Sequence, residues 1–268
     1  MTTLVPVPSL LAPGPVERRI LSLTNKGTIC AALIDPEDTS PTRAVQVARG
    51  AVSAGASMVL VGGSTLSDRN KLDSIVKAVK SHVACHVVLF PGNVTGVSKY
   101  ADAILFSSLL NSTNPYFIIG AQALGAMEVR RSGIESIPMG YLIFGNSSAA
   151  SFIGQVNGLP SSKPNIAVIY ALAAGYLGMR TLYLEAGSGA KEPVTSDTIR
   201  AVRSQYNGIL IVGGGITTPE AAKRAAGAGA DILVIGSLLE TRGFEPIMRA
   251  IVDAIGQSRQ PSRQQSGY

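Results

Sequence analysis

Asp35 stands directly before Pro36 in the stretch Asp35-Pro36-Glu37, and the proline holds it in an extended backbone. A lone carboxylate so placed can hold Mg2+ when substrate phosphates and water supply the remaining ligands. Ser64, closing Gly62-Gly63-Ser64, offers one more oxygen. Asp-Pro is equally a turn opener, so Asp35 can instead only cap the helix that follows. Further along lie three runs of small residues, Gly187-Ser188-Gly189, Gly213-Gly214-Gly215 and Gly236-Ser237. Glycine lets main-chain N–H groups approach an anion closely, and a helix starting after such a loop adds a favourable dipole. Glu185 sits beside the first run. A carboxylate does not bind phosphate, so it suits a hydroxyl on the same ligand, whose proton it can take; the alternative is an ion pair with Lys or Arg. Tyr183 shares the face of Glu185 in a strand of period two and either reaches the same ligand or fills the interior.

Other chemistries lack their residues. Neither a GxxxxGK[ST] loop nor a GxGxxG fingerprint occurs, which disfavours nucleotide hydrolysis and NAD use. His82 and His86 are the sole histidines and join no cysteine cluster, which disfavours zinc and histidine acid–base catalysis.

The elements that must carry these residues are short, near-continuously apolar runs, as in parallel strands covered on both faces. They are Thr28–Ile34, Met58–Val61, His86–Phe90, Ala103–Phe106, Pro138–Phe144, Thr181–Leu184, Ile209–Val212 and Ile232–Ile235. Helical segments fit between most of them: Thr42–Ser53, Asp68–Val79, Tyr116–Arg131, Asn165–Leu177, Ser196–Ser204 and Pro219–Ala226. The connection after the third run reads as helix-poor. Eight such units predict one α/β domain, a (β/α)8 TIM barrel over residues 1–256, with a Pro-rich extension over 1–15. The polar stretch Gly145–Lys163 reads as a long loop, and Gln257–Tyr268 as a disordered basic tail. In such a barrel the reactive face lies at the C-terminal ends of the strands, with phosphate commonly held after strands seven and eight. Asp35, Ser64, Glu185 and the three small-residue runs, after strands six, seven and eight, all fall there.

Composition narrows the partners. Lys and Arg number 23 against 17 Asp and Glu, a net charge of +6, but the basic residues are scattered and Trp is absent, so a nucleic-acid face is not expected. Ile166–Met179, the longest nearly apolar stretch, is shorter than the roughly 18 residues of a membrane span. The proline-rich start, without a leading basic cluster, does not read as a secretion signal. Cys30 and Cys85 form no disulfide framework, which suits a reducing cytoplasm.

Several motifs together resemble the geranylgeranylglyceryl phosphate synthase family of the archaeal ether-lipid pathway, in the group with bacterial relatives. They are Leu33-Ile34-Asp35-Pro36-Glu37, Val61-Gly62-Gly63-Ser64, Leu89-Phe90-Pro91-Gly92-Asn93, Phe106–Asn111, Asn114–Gln122, Tyr183-Leu184-Glu185-Ala186-Gly187-Ser188-Gly189-Ala190 and Val212–Ile216. The resemblance implies Mg2+-dependent transfer of a prenyl group from geranylgeranyl diphosphate to the 3-hydroxyl of sn-glycerol 1-phosphate, releasing diphosphate. It assigns the metal to Asp35 and Ser64. It assigns glycerol phosphate to Tyr183, Leu184, Glu185, Ala186, Gly187, Ser188, Gly189, Gly214, Gly215, Gly236 and Ser237, with Glu185 and Asp35 as the catalytic pair. It further implies a homo-oligomer, dimer or hexamer, touching the membrane transiently through its prenyl substrate. A longer heptaprenyl donor, a sugar-phosphate isomerase or lyase, and a non-catalytic phosphate-binding protein are the alternatives. Tyr116–Met127, apolar and rich in small residues, can line a prenyl groove, a subunit interface or the outer core of the barrel.

Overall fold

The computed structural model of the chain describes residues 12–65 and 68–256. Its strands are β1 (Ile29–Ile34), β2 (Met58–Val61), β3 (His86–Leu89), β4 (Ala103–Leu109), β5 (Glu135–Ile143), β6 (Thr181–Glu185), β7 (Ile209–Gly213) and β8 (Ile232–Ile235). The helices are α1 (Pro15–Thr24), α2 (Pro41–Ser53), α3 (Arg69–Lys80), α4 (Ala121–Ser132), α5 (Ala149–Ile153), α6 (Pro164–Tyr176), α7 (Ser196–Arg203), α8 (Pro219–Gly227) and α9 (Glu245–Gly256). All strand pairs are parallel and β1 pairs with β8, closing an eight-stranded barrel in sequential order. The fold is therefore the (β/α)8 barrel that the alternation of runs predicts.

Each strand is apolar throughout because its two faces enter two different cores. In β6, Leu182 and Leu184 join the layer between sheet and helices, whereas Tyr183 points into the barrel with Met58, Leu60, Val88, Leu105, Met139 and Ile211. This parity, carried past the strand ends, puts Asp35, Phe90, Tyr141, Glu185 and Gly236 on the interior side at the C-terminal mouth.

Departures from the expected boundaries have local causes. β4 continues to Leu109 because Ser107 and Ser108 ladder with Met139 and Gly140; their hydroxyls had disguised strand as loop. β5 begins at Glu135, before Pro138, although proline usually marks a strand's first residue. The segment starting at Tyr116 is a π-helical turn (Tyr116–Gly120) leading into α4. The connection after β3 holds only a 3-10 turn, Val94–Gly96. The stretch read as a long loop contains α5, and helices α1 and α9 arise where none was expected. Pro15 is the first residue of α1, so part of the expected extension is helical; residues 1–11 and 257–268, with the tail, lie outside the described residues.

Helix α1 covers the N-terminal end of the barrel, Val16 and Ile20 joining the interior core. Its first amides, Val16 and Glu17 N–H, donate to the Glu135 carboxylate at 2.7 and 2.9 Å, an anion at a helix N-terminus. At the same end, Arg203 and Asp231 form a 3.0 Å ion pair with side chains 8% and 3% exposed, and Asp231 also accepts from Leu210 N–H. Arg203→Met takes the cation from that buried carboxylate, which keeps the Leu210 amide. The expected cost is about 3–5 kcal/mol, read as a lower unfolding midpoint in denaturant titration.

Candidate active site

The mouth is built by loops whose backbones touch. Gly62 lies against the carbonyl of Phe90, where any Cβ would collide, so β2 and β3 approach main chain to main chain as they leave the sheet. Gly63 faces the Asp35 carboxylate: a Cβ there would fall against both oxygens. Two adjacent glycines thus do separate jobs, one fixing Phe90 and the other letting the Asp35 carboxylate pack against bare backbone. Asp35 Oδ1 accepts from the Glu37 N–H at 2.8 Å, the local turn expected of Asp-Pro. Half-burial pushes its carboxyl above the usual range; the Glu37 amide and Lys71 oppose that, while Asp38 and Glu37 add to it.

Across the mouth, Glu185 ends β6 between Ile143 of β5 and Gly213 of β7. It is 7% exposed, and Oε1 accepts from the Gly187 N–H at 2.6 Å. Burial raises its carboxyl above the usual range, with the Gly187 amide and then the Tyr183 hydroxyl pulling it back. No Lys or Arg pairs with it among the described ion pairs, so the ion-pair alternative has no partner here. Gly214 has φ +79, and a Cβ would also strike Glu185 Oε1 and the Gly187 backbone. Only glycine satisfies both constraints.

Tyr183 is fully buried. Its ring stacks on Phe90 (centroids 5.1 Å, 17°), and Tyr141 stands edge-on to both (5.4 Å and 84°; 5.2 Å and 83°). Its hydroxyl occupies the space where Gly213 lacks a side chain and faces Glu185 without closing a hydrogen bond of normal geometry.

One cavity of about 260 Å³ joins these parts. Asp35, Ser64, Glu185, Ser188, Gly236 and Ser237 line its polar end. Its other arm is apolar and runs between the 3-10 turn after β3 and helix α4, past Val94, Val97, Phe106, Phe117, Gly125 and Val129. The segment 116–127 therefore has two faces. Phe117, Ala121 and Gly125 line the groove, while Ile119, Leu124 and Met127 point outward, 64%, 70% and 46% exposed. Side chains pin the π turn in place: Ser108 Oγ donates to Ile118 O (2.7 Å), and Gln122 Nε2 donates to Ser107 O and Phe117 O. The Tyr116 hydroxyl donates to Asn93 Oδ1 at 2.6 Å, linking the two lips of the groove.

Not every expected site residue turns its side chain to this cavity. Leu184 and Ala186 face the outer layer and have only main chain to offer. The open side of Gly215 meets the Glu192–Pro193 backbone. Gly187 and Gly214 act as a pair around Glu185, and Gly189 has φ +71 in the same loop. The cavity also takes in Asp38, Tyr141 and Glu240, which no quoted motif contains, and Phe90 and Gln122, which lie in quoted motifs but were given no role. Strand parity already aligns Tyr141 with Tyr183, its neighbour in register, and was the signal available.

The sequence model of the PcrB family matches residues 25–255. The geranylgeranylglyceryl phosphate synthase of Cenarchaeum symbiosum (strain A) is 52% identical over 244 residues, 91% of this chain and 99% of the relative. That of Methanothermobacter thermautotrophicus is 48% identical over 242 residues, 90% and 98%. The crystal structure of (S)-3-O-geranylgeranylglyceryl phosphate synthase from Thermoplasma acidophilum, in complex with sn-glycerol-1-phosphate, superposes with a TM-score of 0.87 at 37% identity, covering 91% of this chain and 99% of that one. Thiamine phosphate pyrophosphorylase from Pyrococcus furiosus, 12% identical with a TM-score of 0.56, shares the fold.

Proposed function

The chain belongs to the PcrB family, and on that premise we propose that it is a geranylgeranylglyceryl phosphate synthase, a prenyltransferase joining geranylgeranyl diphosphate to the 3-hydroxyl of sn-glycerol 1-phosphate. The observation that carries this reading is the single cavity with an oxygen-lined end and an apolar arm, which suits a polar acceptor meeting a long hydrocarbon donor. An isomerase or lyase of sugar phosphates has no use for the apolar arm.

The residues at the mouth fit a magnesium ion. Among the described residues no three His, Cys, Asp or Glu side chains gather as a closed cage. What the mouth offers is hard oxygen, Asp35 and Ser64 both lining the cavity, with the Asp35 carboxylate seated on the bare backbone of Gly63. That pattern matches an ion bound by one or two carboxylates plus substrate phosphates. Bound there, magnesium would supply charge neutralisation for the leaving diphosphate.

The chain's own residues do the rest. Main-chain amides of the Gly187–Gly189, Gly214-Gly215 and Gly236-Ser237 loops hold the glycerol phosphate. Glu185, its Oε1 held by the Gly187 amide, orients the free hydroxyl and accepts its proton. The groove wall of Phe117, Ala121, Gly125 and Val129 holds the prenyl chain and keeps water from the allylic carbon. Bringing both substrates together supplies much of the rate.

No helix among the described residues is long and apolar enough to cross a membrane. We place the enzyme in the cytoplasm, meeting the membrane transiently through its donor. The outward apolar side chains Ile119, Leu124, Ile169 and Tyr176 support a homo-oligomer, dimer or hexamer.

Incubation of sn-glycerol 1-phosphate with C15, C20 and C35 diphosphates and Mg2+, followed by mass analysis, tests the reading. The C20 ether should dominate; dominance of the C35 ether would make the heptaprenyl donor the substrate, and no ether at all would end the assignment. Gly214→Ala should lower kcat/KM for glycerol phosphate about tenfold or more, since a left-handed backbone and a displaced Glu185 together cost about 1–3 kcal/mol. Steady-state titration of the acceptor reads this directly.

A further inference from the structure

We propose that Asn111, the last residue of the Phe106–Asn111 motif, is a positioning residue that holds Glu185 in place for proton transfer. The inference rests on the prenyl-transfer reading and concerns how the proton acceptor of that same site is aimed. In the step, the bond from the allylic carbon to diphosphate breaks and its electron pair leaves with diphosphate. A lone pair of the glycerol 3-oxygen forms the new bond to that carbon, and the hydroxyl proton passes to the Glu185 carboxylate.

The ladder between β4 and β5 stops at the pair Leu109–Tyr141, as the chain leaves β4 for the π turn beside the groove. β5 runs two residues further, to Ile143, where it pairs with Glu185 at the end of β6. Past Leu109, β4 has no main chain left to meet the Ile143 N–H and carbonyl. The Asn111 side chain, 2% exposed, fills that role. Its Oδ1 accepts from the Ile143 N–H at 3.2 Å, and its Nδ2 donates to the Ile143 carbonyl at 2.8 Å. One carboxamide thus stands in for a peptide unit, offering the donor and the acceptor that a parallel neighbour would offer. Nδ2 also donates to the Asn157 carbonyl at 3.0 Å, and the Asn157 N–H donates back to the Asn111 carbonyl at 2.9 Å, which ties in the loop after α5.

The next residue carries this to the site. The Phe144 N–H donates to the Glu185 carbonyl at 2.8 Å, and Ile143–Glu185 is the last rung of the β5–β6 ladder. No rung follows to absorb a shift of the β5 end, so the shift passes to Glu185. Asn111 therefore fixes the main chain of Glu185 as the Gly187 amide fixes its carboxylate. An aliphatic residue of equal size would fill the same space but take away the partner of the Ile143 N–H. The Ile143 carbonyl would keep only the Leu159 amide at 3.1 Å.

The test is a double-mutant cycle on single-turnover rates with Asn111→Ser, Glu185→Gln and the two combined. Asn111→Ser should slow turnover about tenfold or more, since a misplacement of about 1 Å at a reacting group costs up to about a hundredfold. KM for glycerol phosphate should stay near wild type. In the Glu185→Gln background the same substitution should cost nothing further, because no proton acceptor is left to aim. Hydrogen exchange should show the Phe144 amide protected in the wild type and opened in the serine variant. Asn111→Asp, which keeps the volume and the acceptor for the Ile143 N–H, repeats the cycle should the serine variant fail to fold. Losses that add in the double variant, or a lowered thermal midpoint with turnover intact, would overturn the positioning role and leave the prenyltransferase assignment standing. A wild-type protein that forms no prenylated glycerol phosphate would overturn both.

Discussion

Glu185→Gln should lose about 10²–10⁴ in kcat, the contribution expected of a positioned proton acceptor, while the fold survives. Glutamine can still accept from the Gly187 amide through Oε1, so the loop that glycine builds around the carboxylate is kept. The same substitution should raise thermal stability at neutral pH. Burial raises the Glu185 carboxyl in the folded state, so the folded protein binds this proton more tightly than the unfolded chain. Its contribution to stability is then fully present below the unfolded pKa and is lost as pH rises through the folded one. At neutral pH the carboxylate is a net cost that glutamine removes, a trade of stability for activity. Turnover runs the opposite way: it needs the ionised form, so the acid limb of kcat should lie above the ordinary carboxylate range. Pre-steady-state turnover, pH profiles and calorimetry on the pair of proteins check all three; near-wild-type activity in the glutamine variant would remove Glu185 from the chemistry.

Asp35→Asn should have the second large effect, about a hundredfold or more in kcat/KM, since a metal stabilising a leaving group is worth several kcal/mol. Asparagine preserves the acceptor for the Glu37 amide, so the turn after β1 should stay formed. The negative charge that Asp35 brings to the cavity wall is what disappears. Magnesium titration of activity should show the half-saturating concentration rising sharply, and an unchanged titration curve would mean that Asp35 serves only as a turn residue.

The strands were readable because a parallel barrel buries both faces of each one. Leu182 and Leu184 serve the outer layer and Tyr183 the inner, so both parities are apolar and the runs stand out. The polar end of the site was readable for a related reason: Asp35, Ser64 and Glu185 are polar residues placed where an apolar run stops. The apolar arm was not. Phe117, Ala121 and Gly125 differ from Ile119, Leu124 and Met127 only in which way they face. That direction depends on a π turn held by Ser108 from outside the segment and by Gln122 from within it. Phe90 and Tyr141 were hidden likewise, since an aromatic at a strand end reads as core until the cavity beside it is known. Helix α1 escaped because the carboxylate that meets its first turn, Glu135, is distant in sequence.

The most direct test is a crystal structure with sn-glycerol 1-phosphate, Mg2+ and the thiolo analogue of geranylgeranyl diphosphate bound together. The acceptor's phosphate should rest on the Gly187–Gly189 and Gly214 loops, with its 3-hydroxyl bonded to Glu185 and about 3–3.5 Å from the allylic carbon. The chain should run out along Phe117 and Gly125. An allylic carbon held far from that hydroxyl, or a prenyl chain lying outside the groove, would contradict the account.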